Sequence, residues 1–115
     1  MIAVIFEVYV SEEGREDYLA TATALRESLA DMDGFISIER FSSLVNEGKM
    51  LSLSFWRDEA AVQAWRNLES HRLAQEKGRA GLFREYRLRV AEVLRDYGME
   101  ERTQAPADSR AVHDR

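Results

Sequence analysis

The 115-residue chain has no cysteine, one proline, two lysines and two histidines. Without thiols it has no disulfides, no thiolate nucleophile and no cysteine-ligated metal centre. No apolar run approaches the roughly 20 residues that cross a bilayer. The first residues, Met1 to Glu7, lack the basic segment and small-residue cleavage site of a signal peptide. We therefore expect a cytoplasmic protein that does not partner a membrane.

Acidic residues outnumber basic ones, 21 to 16, so the formal net charge is −5 and the sequence pI is about 5.1. Proteins that bind nucleic acid use lysine and arginine to neutralise phosphates, so nucleic acid is not an expected partner. The length allows one ordinary domain. A hydrophobic fraction of 45% is sufficient for a packed core.

Hydrophobic periodicity indicates four strands and two helices. Alternating apolar residues predict strands, and apolar residues three or four apart predict helices. Gly34 suits a left-handed helix end, Asn46 to Lys49 suit a hairpin turn, and Asp58 suits a helix N-cap. The predicted elements are a strand over 2–10, a helix over 15–32, strands over 35–43 and 50–56, a helix from 59 that breaks near 67–70 and resumes over 71–77, a connector over 78–81, and a strand over 83–94.

The order β-α-β-β-α-β predicts an α+β, ferredoxin-like fold, in which split βαβ units form a four-stranded antiparallel sheet with both helices on one face. The first strand is apolar on both faces, apart from Glu7. An apolar sheet face needs cover, and a second copy of the chain supplies it. We therefore expect a homodimer, a dimeric α/β barrel. This domain covers residues 1–97, and residues 98–115 form a polar tail that is disordered or a swapped arm.

The stretch from Phe55 to His71 holds both tryptophans of the chain, Trp56 and Trp65, around one strand-to-helix junction. Together with the Asp33-Gly34-Phe35 turn, Asp58-Glu59-Ala60 and the His71-Arg72-Leu73 segment, it resembles the antibiotic biosynthesis monooxygenase family, the dimeric α+β barrels. The matching features run over residues 2–97.

The resemblance implies one of two chemistries. Quinone-forming members oxidise polyketide phenols with O2 and need no metal or flavin; they place Asn four residues before the helix Trp and Tyr six after it. Here these positions are Ala61 and His71. Haem-degrading members use a His ten residues after the Trp and an Asn on the first strand. Here these positions are Gln75 and, on the strand, Phe6 or Glu7.

Two groups are candidates for acid–base catalysis. His71 titrates near neutrality, and Glu7 is a carboxylate within an apolar strand. Each also has a purely structural interpretation: His71 as a helix-end residue bonded to backbone, and Glu7 as an ion pair with Arg40, Arg87 or Arg89.

The candidate substrate pocket is lined by Trp56, Trp65, Asn67 and Tyr86. The alternative interpretation is packing for the three aromatic residues and a helix-terminus cap for Asn67. The leading hypothesis is a cofactor-independent monooxygenase for a flat aromatic or quinol-type molecule. The alternatives are a haem-binding, haem-degrading enzyme and a non-catalytic small-molecule-binding dimer.

Overall fold

The computed structural model describes residues 1–75 and 83–109, with the backbone alone for 68–75 and for 83 and 84. It contains four strands and two helices. They are β1 (Ile2–Val10), α1 (Arg15–Leu29), β2 (Phe35–Ser42), β3 (Lys49–Trp56), α2 (Glu59–Gln75) and β4 (Phe83–Glu92).

The strands form one antiparallel sheet in the order β2-β3-β1-β4. β1 is central, and Val4 pairs with Ser54 of β3 and with Val90 of β4. This order is that of the ferredoxin-like fold, which confirms the α+β prediction. None of the described helices is long and apolar enough to cross a membrane.

Both helices pack on the face that carries the even-numbered residues of β1. One buried cluster joins Val4 to Leu29 of α1 and to Trp56, Val62 and Trp65. A second cluster places Tyr18 of α1 against the β1 residues Val8 and Val10. We call this face the helix face.

Local sequence sets the turns as expected. Gly34 has φ +85° and Gly48 has φ +80°, the left-handed region that glycine enters without steric cost. The Asp58 carboxylate accepts a hydrogen bond from the Ala61 amide at 2.9 Å, so Asp58 is the N-cap of α2.

The predicted bounds of β2, β3 and β4 are off by one or two residues, and two larger errors concern the helices. α2 runs without a break through residues 67–70 to Gln75, and α1 ends at Leu29 rather than at Met32. The segment 67–70 contains no glycine or proline, and the weak helix propensity of Asn and Ser costs only about 0.5 kcal/mol each. That penalty is too small to interrupt a helix packed on a sheet. The predicted connector over 78–81 lies outside the described residues.

The opposite face of the sheet, the open face, carries the odd-numbered residues of β1. It presents half-buried apolar side chains at its centre. They are Ile5 of β1 and Leu51, Leu53 and Phe55 of β3.

Candidate functional site

Trp56 and Trp65 meet at the junction that the sequence singled out. Their ring centroids lie 5.5 Å apart, and the Phe35 ring meets Trp56 edge-on with its centroid at 5.3 Å. Trp56 is completely buried, and its indole Nε1 donates to the Ser54 hydroxyl at 2.9 Å. Trp56 therefore fills the core with its polar atom satisfied.

Trp65 differs from Trp56 in its polar atom. The residue is 7% exposed, and its buried indole Nε1 has no hydrogen-bond acceptor. Buried polar atoms in proteins nearly always have a partner, and an unpaired one costs about 1–3 kcal/mol. Within the described part of the chain, this donor is one of only two buried side-chain N or O atoms left unpaired. It is available to a ligand oxygen if the packing beside it opens.

The helix face of β4 supplies an apolar strip beside this core. Tyr86, Leu88 and Val90 point to the same face as Val8, Phe6 and Val4, with which they pair. The Tyr86 ring lies 5.7 Å from Phe6 but is 64% exposed, and Leu88 and Val90 are also exposed. This strip provides a flat apolar wall for a ligand.

Glu7 lies on the open face, away from this wall. Its carboxylate pairs with Arg89 at 3.1 Å and with Lys49 at 3.8 Å, both across neighbouring strands. Of the three partners expected from the sequence, Arg89 is thus confirmed. The sheet separates Glu7 from Trp65, so the structure does not bring these two candidates together.

The remaining candidates lie on α2. Asn67 is exposed, and its side-chain oxygen accepts a hydrogen bond from Gln63 at 3.4 Å. His71 follows Trp65 by six residues in the same helix, and its side chain lies outside the described residues. Tyr86, Trp65 and Trp56 therefore share the helix face, while Asn67 points to solvent.

A polar brace that the sequence analysis missed holds the start of α2. Arg57 donates two hydrogen bonds to Asp33, both of 3.0 Å, and a third to Asp58 at 3.2 Å. The Arg57 amide also donates to the Gly34 carbonyl at 2.8 Å. This brace joins the α1–β2 turn to the β3–α2 junction, and it fixes where the helix bearing Trp65 begins.

The charges of the brace stabilise one another. The Arg57 guanidinium lowers the pKa of the Asp33 carboxyl below its ordinary value. The pKa of Asp58 is lowered chiefly by the hydrogen bond from the Ala61 amide and further by Arg57. The two carboxylates raise the pKa of Arg57 in turn.

The described residues fit haem poorly. Where haem-degrading relatives are expected to carry an asparagine on the first strand, Phe6 faces the helices without a donor and Glu7 points to the open face. Among these residues no three His, Asp or Glu side chains cluster to hold a metal ion.

Residues 1–77 match the sequence model of the family described as antibiotic biosynthesis monooxygenase. A jasmonate monooxygenase of Pyricularia oryzae is 48% identical over 93 residues, which cover 81% of this chain and 43% of that protein. The chain thus spans less than half the length of this fungal relative. An uncharacterized protein of Bacillus subtilis is 34% identical over 101 residues, covering 88% of this chain and 86% of that one.

A solved structure with the same fold is the haem degrader of Mycobacterium tuberculosis, which was determined with two haems bound in its active site. It superposes with a TM-score of 0.65 over 85% of this chain and all of that one, at 18% identity. At that identity the likeness concerns the fold alone.

Proposed function

Because the chain belongs to the antibiotic biosynthesis monooxygenase family, we propose that it is a small-molecule monooxygenase that uses O2 without a cofactor. The observation that carries the proposal is the unpaired indole Nε1 of Trp65, which packs on the same sheet face as the apolar strip of β4. An apolar wall with one oriented donor is the usual composition of a small-molecule site.

The proposed substrate is an aromatic molecule with an acidic phenol or an activated methylene group. Loss of a proton gives an electron-rich anion that passes electrons to O2. For a methylene, CH2 + O2 → C=O + H2O balances: one oxygen atom enters the carbonyl, the other leaves as water, and the substrate supplies all four electrons. Such a substrate requires no external reductant.

Each residue has a defined part in this proposal. The Trp65 indole donates to the substrate oxygen, which favours the anionic form because the donor is held in a water-poor environment. Tyr86, with Leu88 and Val90, supports the flat ring from the sheet side. His71 is the proposed proton acceptor, since imidazole titrates near neutrality and Glu7 lies on the other face.

The second candidate substrate is jasmonate, because the fungal relative of 48% identity is named for it. Insertion of oxygen into an unactivated C–H bond takes two further electrons from a reductant. A requirement for added reductant therefore distinguishes jasmonate from an aromatic substrate that supplies all four electrons to O2 itself.

We also propose that two copies stack through their open faces. The apolar residues Ile5, Leu51, Leu53 and Phe55 would then leave water, and the Glu7–Arg89 pair would lie within the interface. Ile5→Lys places a charge at the centre of this face and should give monomers in sedimentation. Val45→Lys is the control, because Val45 is 88% exposed in a turn.

The activity is tested by following O2 uptake of the purified protein with anthrone, hydroquinone and jasmonate, with and without added NADH and with and without haem. The proposal predicts uptake with an aromatic substrate alone, and one atom of 18O in the product carbonyl. Uptake only in the presence of haem, or none with any substrate, would contradict it.

A further inference from the structure

The second buried donor without an acceptor belongs to Arg40, whose Nε is enclosed and unpaired. Arg40 lies on edge strand β2 and lines a groove of about 520 Å³ between α1 and the sheet edge. This groove takes no residue from α2 or β4, so it is distinct from the proposed substrate site. The residues that line it with Arg40 include Leu19, Thr23 and Arg26 of α1 and Ile38 and Glu39 of β2.

The chemistry of the groove defines what fits it. Leu19 and Ile38 give it apolar walls, and the guanidinium groups of Arg26 and Arg40 outnumber the one carboxylate, that of Glu39. Arginine pairs well with carboxylates through parallel N–H···O bonds. The groove therefore suits a segment with an apolar side chain next to an acidic one.

The end of the same chain has this composition. Residues 94–109, which we call the arm, follow β4 and include Leu94 at 80% and Met99 at 95% exposure. Glu100 directly follows Met99. The neighbouring Glu101 carboxylate already accepts two bonds from Thr103, at 2.6 Å from the hydroxyl and 3.2 Å from the amide.

The arm is nevertheless ordered around Arg102. This guanidinium donates to the Gly98 carbonyl at 2.9 Å and to the Ser109 hydroxyl at 2.7 Å, and it lies 5.6 Å from the centre of the Tyr97 ring. These bonds run within the arm. A segment already folded loses less conformational entropy when it docks.

The dimensions of the chain agree with an arm that extends from the sheet. The radius of gyration is 17.0 Å and the longest dimension is 57 Å. A compact chain of this length has a radius of gyration of about 13 Å.

We propose that the arm of one copy docks in the α1–β2 groove of a second copy, with Met99 on the apolar walls and Glu100 paired with Arg40. This inference rests on the stacked dimer proposed above. If the two-fold axis runs along the strands, β4 of one copy lies over β2 of the other, about 10 Å away. The seven residues from Val93 to Met99 span up to about 24 Å, which is enough to reach the groove.

Docking requires the Arg40 guanidinium to turn, because its Nε is closed to solvent in the single chain. This rotation brings the unpaired Arg40 Nε to the Glu100 carboxylate of the second copy. The free-energy cost of leaving that donor unpaired therefore disappears in the dimer. The α1–β2 groove is thereby a site completed by the partner subunit.

The first test is charge reversal, measured by sedimentation equilibrium of the full chain. Arg40→Glu and Glu100→Arg should each raise the dimer dissociation constant at least about tenfold, and the double variant should recover most of the loss. Glu47→Arg in the β2–β3 turn is the control for added positive charge. Single variants that leave the constant unchanged, or a double variant without recovery, would overturn the pairing.

The second test uses the absence of cysteine. Thr23→Cys lines the groove, and Met99→Cys lies on the arm. When the two single variants are refolded together, one of them with a tag, oxidation should join tagged to untagged chains. Ala24→Cys, next to Thr23 but not a groove residue, should not link to Met99→Cys.

The outcomes separate the two proposals. A wild-type chain that sediments as a monomer refutes the stacked dimer itself. If the wild-type chain is a dimer but the Thr23→Cys and Met99→Cys chains do not link to each other, arm exchange alone is refuted. The same holds if the disulfide forms only within a single chain that carries both substitutions.

Discussion

Replacing Gly34 by alanine tests the position of α2 most sharply. A Cβ at residue 34 would lie 2.6 Å from the Ala61 Cβ in the first turn of α2, far inside van der Waals contact. The φ angle of +85° adds a cost of its own for an L side chain, about 1–2 kcal/mol. Overpacking of this kind adds about 1–3 kcal/mol, so the expected total is about 2–5 kcal/mol.

The chain offers a matched control in Gly48. It has nearly the same φ, +80°, but an added Cβ there would meet only the Val10 carbonyl oxygen at an ordinary 3.5 Å. Gly48→Ala should therefore cost only about 1–2 kcal/mol, the conformational part. Urea unfolding at one fixed protein concentration measures both variants, since a dimer's stability depends on concentration.

A double variant isolates the contact. Ala61→Gly removes the colliding methyl group, so Gly34→Ala should cost less in that background than in the wild type. Equal losses for Gly34→Ala and Gly48→Ala, or no coupling between positions 34 and 61, would refute the close approach of α2 to this turn.

Two further predictions concern charged groups. Arg57 lowers the folded-state pKa of Asp33, and the Ala61 amide together with Arg57 lowers that of Asp58. These carboxylates therefore stabilise the fold above their unfolded pKa and lose that contribution as the pH falls through the folded values. Arg57→Gln should therefore reduce the drop in urea midpoint between about pH 5 and about pH 3; an unchanged drop would contradict this. Glu7→Gln should leave O2 uptake per subunit within about twofold of wild type, whereas His71→Gln should lower it more than about tenfold. A large loss with Glu7→Gln would place the base on the open face.

Much of the fold follows from local sequence. The alternation in β1 and β3, the glycine at position 34 and the cap at Asp58 each depend on neighbouring residues, and the structure has them as predicted. The break predicted near Asn67 is wrong because packing on the sheet outweighs a small loss of helix propensity.

The site was harder to predict, because its features join distant residues. Alternation separates Glu7 from Phe6, but both faces of β1 are apolar, so the pattern does not indicate which face the helices cover. The pairing of Arg57 with Asp33 spans 24 positions and leaves no local signature. Whether a buried indole N–H such as that of Trp65 lacks an acceptor depends on every atom packed around it, and most of those atoms belong to residues distant in sequence.

The proposed role of the Trp65 indole is tested most directly by comparing Trp65→Phe with Trp56→Phe in O2 uptake and urea unfolding. Trp65→Phe removes an unpaired donor, which offsets part of the lost packing, so stability should change by only about 1 kcal/mol while uptake falls more than about tenfold. Trp56→Phe breaks the bond to Ser54 in the core and should cost about 2–4 kcal/mol, with uptake per folded subunit largely kept. Full uptake by Trp65→Phe would contradict the account.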